Sequence, residues 1–247
     1  MKIFAVIPAR YAATRFPGKL MQLLGNKSVI AQTYENTVKT GLFNEVWVAT
    51  DSEIIQQEIL AIGGHVVRST RHHESGSDRI AEAIEKMDVD IVVNVQGDEP
   101  FIQKDPLEKL INSFNDPTVR VGSLMQRISE PIDIDNPNIV KVVINDDQNA
   151  LYFSRSPIPY NRNRQDDVSY FRHIGVYAFR KETLLEFTTW PMGRLENAEK
   201  LEQLRYLENN VPVKMIETSF TGIGIDTPED LEKAKRLINM DSDSLKL

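Results

Sequence analysis

Ile91-Val92-Val93-Asn94-Val95 is the most strand-like stretch of the 247 residues, and Gln96-Gly97-Asp98-Glu99-Pro100 follows it at once. The run is β-branched and continuous rather than alternating, the pattern of a strand buried on both faces. The same reading extends outward along the N-terminal half. Residues 3–7 form a short apolar run stopped by Pro8, and Ser28 is placed to cap a helix through Lys39 that Gly41 closes. Glu45–Thr50 reads as a buried strand, and Asp51 stands where it would cap a helix over residues 52–62, with Gly63-Gly64 beyond. His65–Arg68 is strand-like and residues 78–86 are helix-like. Buried strands alternating with amphipathic helices predict an α/β protein, a mostly parallel central sheet with helices on both faces.

From about Pro117 the rhythm changes. Val121–Arg127, residues 139–144 and residues 150–153 come close together with turn residues such as Asn145-Asp146-Asp147 between them. They predict an added antiparallel β element. Residues 161–167 are polar and expected to be an exposed loop. Helices are expected at Lys181–Phe187 and over residues 195–208 and 228–238, with residues 241–247 frayed. No repeat and no linker interrupts the chain, so residues 1–247 are expected to form one domain, with a β subregion at about 118–180.

Composition narrows the function. Apolar residues make up 41% and charged residues 26%, which excludes a disordered or fibrous chain. With no cysteine there is no disulfide scaffold, thiolate nucleophile or Cys-ligated metal. The net charge of −7 gives no overall attraction for nucleic acid or an anionic membrane, so an anionic ligand needs a local nest of basic groups. The N-terminus lacks the pattern of a signal peptide and no stretch approaches 18 apolar residues, so the expected location is cytoplasmic, with no membrane insertion. Four histidines and no Gly-x-Ser-x-Gly argue against a zinc site and a serine hydrolase.

The chemistry-bearing residues cluster where strands end. Pro8-Ala9-Arg10-Tyr11-Ala12-Ala13-Thr14-Arg15-Phe16-Pro17-Gly18-Lys19 follows the first strand, and ligands of open α/β sheets bind beyond the strands' carboxyl ends. Arg10, Arg15 and Lys19 in an acidic chain suit a polyphosphate, Arg as a planar fork and Lys as a point charge. The spacing is not that of a P-loop or a dinucleotide fingerprint, and a solvated loop is the plain alternative. Asp98, at the end of the strongest strand, offers a magnesium carboxylate; the alternative there is a polar turn. Ser75-Gly76-Ser77-Asp78-Arg79 opens a helix whose amides could receive an anion or a base edge, though an ordinary N-cap explains it equally well. In Gly224-Ile225-Asp226-Thr227-Pro228, Thr227 reads as an N-cap and Pro228 as the first helical residue, which leaves Asp226 ahead of the cap. His173 opens an apolar strand and shares a face with Tyr177 four residues on. Glu202 and Gln203 are expected side by side on a helix.

Taken in order, these motifs together with Ala49-Thr50-Asp51, Ala150-Leu151-Tyr152-Phe153-Ser154-Arg155, His173-Ile174-Gly175-Val176-Tyr177 and Leu201-Glu202-Gln203-Leu204-Arg205 resemble the 3-deoxy-manno-octulosonate (Kdo) cytidylyltransferases of lipopolysaccharide assembly. The resemblance runs over almost the whole chain. It implies a Rossmann-like nucleotidyltransferase fold and a homodimer that takes CTP, Kdo and Mg²⁺. The Pro8, Ala9 and Arg10 backbone and Arg15 would hold the nucleotide, with Arg10 and Lys19 on the phosphates. Ser75, Gly76 and Gln96 would lie around cytosine and its sugar, with Arg79 also among the substrate-binding residues. Asp98 and Asp226 match the metal carboxylates, and Arg155, His173, Tyr177, Glu202 and Gln203 the acid-sugar pocket. Rival readings are a synthetase for a related acid sugar (8-amino-Kdo or sialic acid) and a non-catalytic nucleotide-sugar sensor.

Overall fold

Ile91–Asn94 is buried at every position, the three apolar residues as their unbroken run requires and Asn94 with them. It lies in the first of two compact units into which the chain divides, Met1–Lys104 with Thr221–Leu247, the second being Asp105–Phe220. The computed structural model describes residues 1–12, 16–71, 73, 75–163, 168–219 and 224–244.

In chain order the first unit contains β1 (Ile3–Ala9), β2 (Leu23–Leu24), β3 (Lys27–Ser28), α1 (Val29–Lys39), β4 (Glu45–Thr50), α2 (Glu53–Ala61), β5 (His65–Arg68), α3 (Gly76–Ile84) and β6 (Ile91–Asn94). Its principal strands run β6-β1-β4-β5, all parallel, with Val6 of β1 opposite Asn94 on one side and Trp47 on the other. Ala5, Val6 and Ile7 are wholly buried. Burying a Val or Ile side chain contributes about 1.5–3 kcal/mol, so this central strand is the unit's main anchor.

Helix α4 (Lys104–Asn112) leads into the second unit, which holds β7 (Val121–Arg127), α5 (Pro131–Ile134), β8 (Lys141–Ile144), β9 (Ala150–Ser154), β10 (Phe171–Arg180), α6 (Lys181–Phe187), α7 (Arg194–Glu199), α8 (Leu204–Glu208) and β11 (Val213–Glu217). Strand β7 pairs antiparallel with β10 and parallel with β11, while β8 pairs antiparallel with both β9 and β10. These antiparallel pairings form the expected added β element. Helix α9 (Pro228–Ser244) belongs to the first unit.

Several boundaries differ from the sequence reading, each for a local reason. Ser52, not Asp51, caps α2, accepting from the Ile55 amide at 3.5 Å, and the Asp51 carboxylate instead takes a 2.7 Å bond from the buried Arg79 guanidinium. Ser75 caps α3, so that helix starts two residues earlier than expected. Residues 195–208 form two helices, because Lys200 turns left-handed (φ 54°, ψ 47°) and ends α7. The break lets Arg205 reach Glu196 in a buried two-bond ion pair at 2.6 and 2.7 Å. Residues nine apart lie about 180° apart on one continuous helix and could not meet. Glu202 and Gln203 are therefore in the turn before α8, not on a helix. Helix α9 runs on to Ser244, past the predicted end at 238. Helix α4 and strand β11 went unassigned from sequence; both are short, and the latter is buried only at alternate positions. Residues 164–167 of the expected polar loop lie outside the described residues.

Candidate active site

The carboxyl ends of β1 and β6 frame a pocket of about 350 Å³ lined by Pro8, Arg10, Phe16, Lys19, Gln96, Gly97, Asp98 and Asp226, among others. Strand β1 delivers Pro8 and Arg10. The chain then folds back, the Gly18 amide donating to Tyr11 O at 3.1 Å, and a single 3₁₀ turn over Lys19–Met21 aims Lys19 inward. Gly97 follows β6 under close quarters. A Cβ there would stand 3.2 Å from Pro8 O, 3.3 Å from Ile30 and 3.4 Å from Leu20, so only glycine fits without displacing a neighbour. Helix α1 clamps the same turn, Thr33 donating to Gly97 O at 3.0 Å and Asn36 to Pro100 O at 2.7 Å. Asp226 is brought in by its neighbour, for the buried Ile225 donates its amide to Asp98 O at 2.9 Å. Thr227 and Asp230 cap α9 reciprocally, as expected of that helix start.

Lys19 is the centre of the charge arrangement. Its ammonium donates to the Asp98 carboxylate and to Asp226 Oδ1, the latter at 2.8 Å. Burial works against the ammonium charge, but the two carboxylates outweigh it and hold the Lys19 pKa above the ordinary lysine value. Two acids thus converge on one cation, with the exposed Arg10 beside them. Two carboxylates that leave the rest of the coordination shell to substrate oxygens are the donor set magnesium takes. Among the described residues, no group of three or more His, Asp or Glu gathers for a metal.

The other sequence-predicted residues divide by location. Ala9 is wholly buried behind Pro8. Gly76 opens α3 against Pro8, whose Cγ would lie 3.5 Å from an added Cβ, and Ser75 caps the helix, accepting from the Asp78 amide at 3.1 Å. Arg79 is 2% exposed and paired with Asp51; its Nη1 has no hydrogen-bond partner. Arg15 lies outside the described residues.

In the second unit, His173 and Tyr177 face one another with ring centroids 5.3 Å apart. The register of β10 against β7 slips between Ile174 and Tyr177, and four residues of β10 span two of β7. An even excess preserves alternation, so the two side chains stay on one face as predicted. Gln203 Nε2 lies 3.5 Å from His173 Nδ1, and burial pushes the His173 pKa down to about 3. Burial, with the Glu202 carboxylate adding to it, raises the Tyr177 hydroxyl well above its usual range. His173, Tyr177, Glu202 and Gln203 thus form one neighbourhood. Arg155 instead spends its guanidinium on backbone carbonyls, donating to Glu199 O at 2.8 Å and Pro137 O at 3.0 Å. Sequence reasoning missed Ser123, which is buried and 2.9 Å from His173 Nε2; one small polar residue inside a strand pattern carries no signal of its own.

A largely parallel sheet with a cationic loop and converging acids at its carboxyl edge defines a Rossmann-like nucleotidyltransferase fold. A family model described as "Cytidylyltransferase" matches residues 4–218. A 3-deoxy-manno-octulosonate cytidylyltransferase of Flavobacterium johnsoniae is 58% identical over 96% of this chain and 99% of its own length. Another, from Christiangramia forsetii, is 56% identical over 96% of this chain and 97% of its own. A solved CMP:2-keto-3-deoxy-manno-octonic acid synthetase complexed with CTP superposes with a TM-score of 0.94 at 40% identity, covering 98% of this chain and all of its own. At 17% identity and a TM-score of 0.65, a 4-diphosphocytidyl-2C-methyl-D-erythritol synthase from Anaerococcus prevotii shares the fold over 96% of this chain and 98% of its own. The chain belongs to the cytidylyltransferase family, and within it to the 3-deoxy-manno-octulosonate cytidylyltransferases.

Proposed function

We propose that this chain is the enzyme that joins CTP to Kdo, releasing pyrophosphate and giving CMP-Kdo for lipopolysaccharide assembly. The observation that carries the reading is the meeting of Lys19, Asp98 and Asp226 in one pocket beside Arg10. The anomeric hydroxyl of the sugar attacks the α-phosphorus in line, an O–P bond forms, and the bond to the pyrophosphate oxygen breaks. Such a transfer needs positioning and charge neutralisation rather than an enzyme nucleophile. Pro8 and the Gln96-Gly97 turn wall the nucleotide site, with Ser75 and Gly76 near Pro8 for the nucleoside. Arg10 and Lys19 supply the cations for the phosphate chain, joined by Arg15. Asp98 and Asp226 are the residues that would hold Mg²⁺, which when bound supplies charge neutralisation at the phosphates. His173, Tyr177, Glu202 and Gln203 are assigned to the acid sugar; the carbonyl contacts of Arg155 favour a supporting place for it beside that pocket.

The remaining assignments are proposals of the same kind. No helix among the described residues is long and apolar enough to cross a membrane; the cytoplasmic location rests on the family resemblance. A homodimer accords with the family resemblance and with Ile132, Leu151 and Tyr160 of the second unit being exposed. The deciding experiment supplies purified protein with CTP, Mg²⁺ and one of Kdo, 8-amino-Kdo or N-acetylneuraminate and follows pyrophosphate. Kdo is expected to give the highest kcat/KM. A higher value for another sugar would move the substrate assignment, and no pyrophosphate with any of them would leave a sensor.

A further inference from the structure

Ser123, His173 and Gln203 form a polar relay in the second unit, buried at Ser123 and Gln203 and half-buried at His173, whose protons can be placed one at a time. Ser123 Oγ lies 2.8 Å from Val176 O, 3.2 Å from Ile174 O and 2.9 Å from His173 Nε2. A hydroxyl has one proton to give and a backbone carbonyl has none. Were that proton sent to His173, bare oxygen lone pairs would face each other at 2.8 Å in a site closed to water. The Ser123 proton therefore goes to a carbonyl, and its oxygen faces His173 as an acceptor. His173 Nε2 must then carry the ring proton. Burial keeps the imidazole neutral, with its pKa at about 3, so Nδ1 is bare and can only accept. The group opposite Nδ1 is Gln203, which must turn its NH₂ to the ring. Its carbonyl oxygen is left facing the other way.

We propose that Ser123 is a positioning residue of the acid-sugar pocket: by fixing the tautomer of His173 it makes Gln203 present its carbonyl oxygen, an acceptor that selects a sugar hydroxyl. The proposal rests on the assignment of His173 and Gln203 to the sugar made above. Two consequences follow from the same proton placement. A neutral His173 cannot pair with the sugar's carboxylate, so that charge is met by another group. The Ser123 hydroxyl also ties the carbonyls of Ile174 and Val176, where the β10 register slips, and so helps hold His173 and Tyr177 on one face.

The experiment combines histidine ¹⁵N NMR with steady-state kinetics on the full chain. The His173 resonance, assigned by its loss in His173→Gln, is expected to show the Nε2–H tautomer at neutral pH. Ser123→Ala is expected to mix the tautomers and raise the sugar KM about tenfold, the scale of one lost polar contact, with the CTP KM within about twofold. Gln203→Glu reads the relay from the other end and leaves the β7 core intact. Its carboxylate opposite Nδ1 is expected to draw a second proton onto the ring, which keeps Nε2–H towards Ser123 and becomes an imidazolium at neutral pH. An Nδ1–H ring in the wild type, a ring in Gln203→Glu that gives up its Nε2 proton, or an unmoved sugar KM in folded Ser123→Ala would each overturn the proposal. If His173→Gln and Gln203→Ala both spare the sugar KM, the pocket assignment itself falls and takes the proposal with it. That failure is distinguishable, because the tautomer still responds to Ser123.

Discussion

Lys19 shows how much one side chain can organise. A lysine facing two acids is a counter-ion that keeps Asp98 and Asp226 close without mutual repulsion, and the pocket around it is only partly open to solvent. Replacing Asp98 by Asn is expected to keep CTP binding within a few-fold but to cut turnover at least about a hundredfold, the scale of one transition-state electrostatic contact. Near-normal turnover would take Asp98 out of the reaction. Arg10→Ala and Lys19→Ala should weaken CTP far more than the sugar, by calorimetric titration of each, and Lys19→Arg should restore CTP only in part, since a planar fork does not replace a point charge. A second residue, Glu82, makes a pH prediction. Burial opposes its charge, but hydrogen bonds from His73 (2.6 Å) and from the Thr70 hydroxyl and amide hold its pKa at about 2. A folded-state pKa below the unfolded value gives stability that is present above about pH 4.5 and lost as pH falls towards 2. The stability difference between wild type and Glu82→Gln in urea should therefore be full at pH 6 and shrink steadily below pH 4.5. A difference independent of pH would show that Glu82 acts only by shape.

At the scale of elements, the α7–α8 turn is the instructive case. Nothing in Glu199-Lys200-Leu201 announces a helix stop, and a lysine in the left-handed region is tolerated only because packing beyond it compensates. The compensation is the buried Glu196–Arg205 pair, with Arg205 also 4.3 Å above the Phe187 ring. Truncating one partner of such a pair leaves a buried charge, so Glu196→Ala should lose about 3–5 kcal/mol in urea unfolding. A double Glu196→Leu, Arg205→Met replacement should regain most of it, because two matched apolar groups need no counter-charge. Equal stability of the single and double variants would show that the ion pair does not shape this turn. His173 lies in the same β-rich unit as a half-buried ring that also meets Phe153 edge-on at 5.1 Å. Its removal is therefore expected to cost stability as well as sugar affinity, and Gln203→Ala is the cleaner probe of the pocket.

For the whole molecule, the proposed homodimer makes the simplest test. Sedimentation at micromolar concentration should give about twice the 28.2 kDa chain mass, and Leu151→Glu or Tyr160→Glu should shift the distribution towards monomer; a monomer in the wild type would remove the proposal. A fold shared at 17% identity shows that burial pattern and connectivity, rather than particular residues, specify this architecture. That is why so much of it was legible. Continuous apolar strands, helix caps and turn residues are local properties, and they placed β1, β4, β5, β6, β7, α6 and the start of α9 with few errors. The sequence also determined which residue types stand at the strand ends, cations after one strand and a carboxylate after another. Only the tertiary structure decided which of them meet. Lys19 reaches Asp98 across 79 residues and Asp226 across 207, contacts that depend on how a parallel sheet brings separate strand ends together. The split of residues 195–208 into two helices, the pairing of Asp51 with Arg79 and the relay from Ser123 to Gln203 were equally closed to sequence. Each is set by the partner a polar group finds once the chain has folded, a partner that no local sequence pattern names.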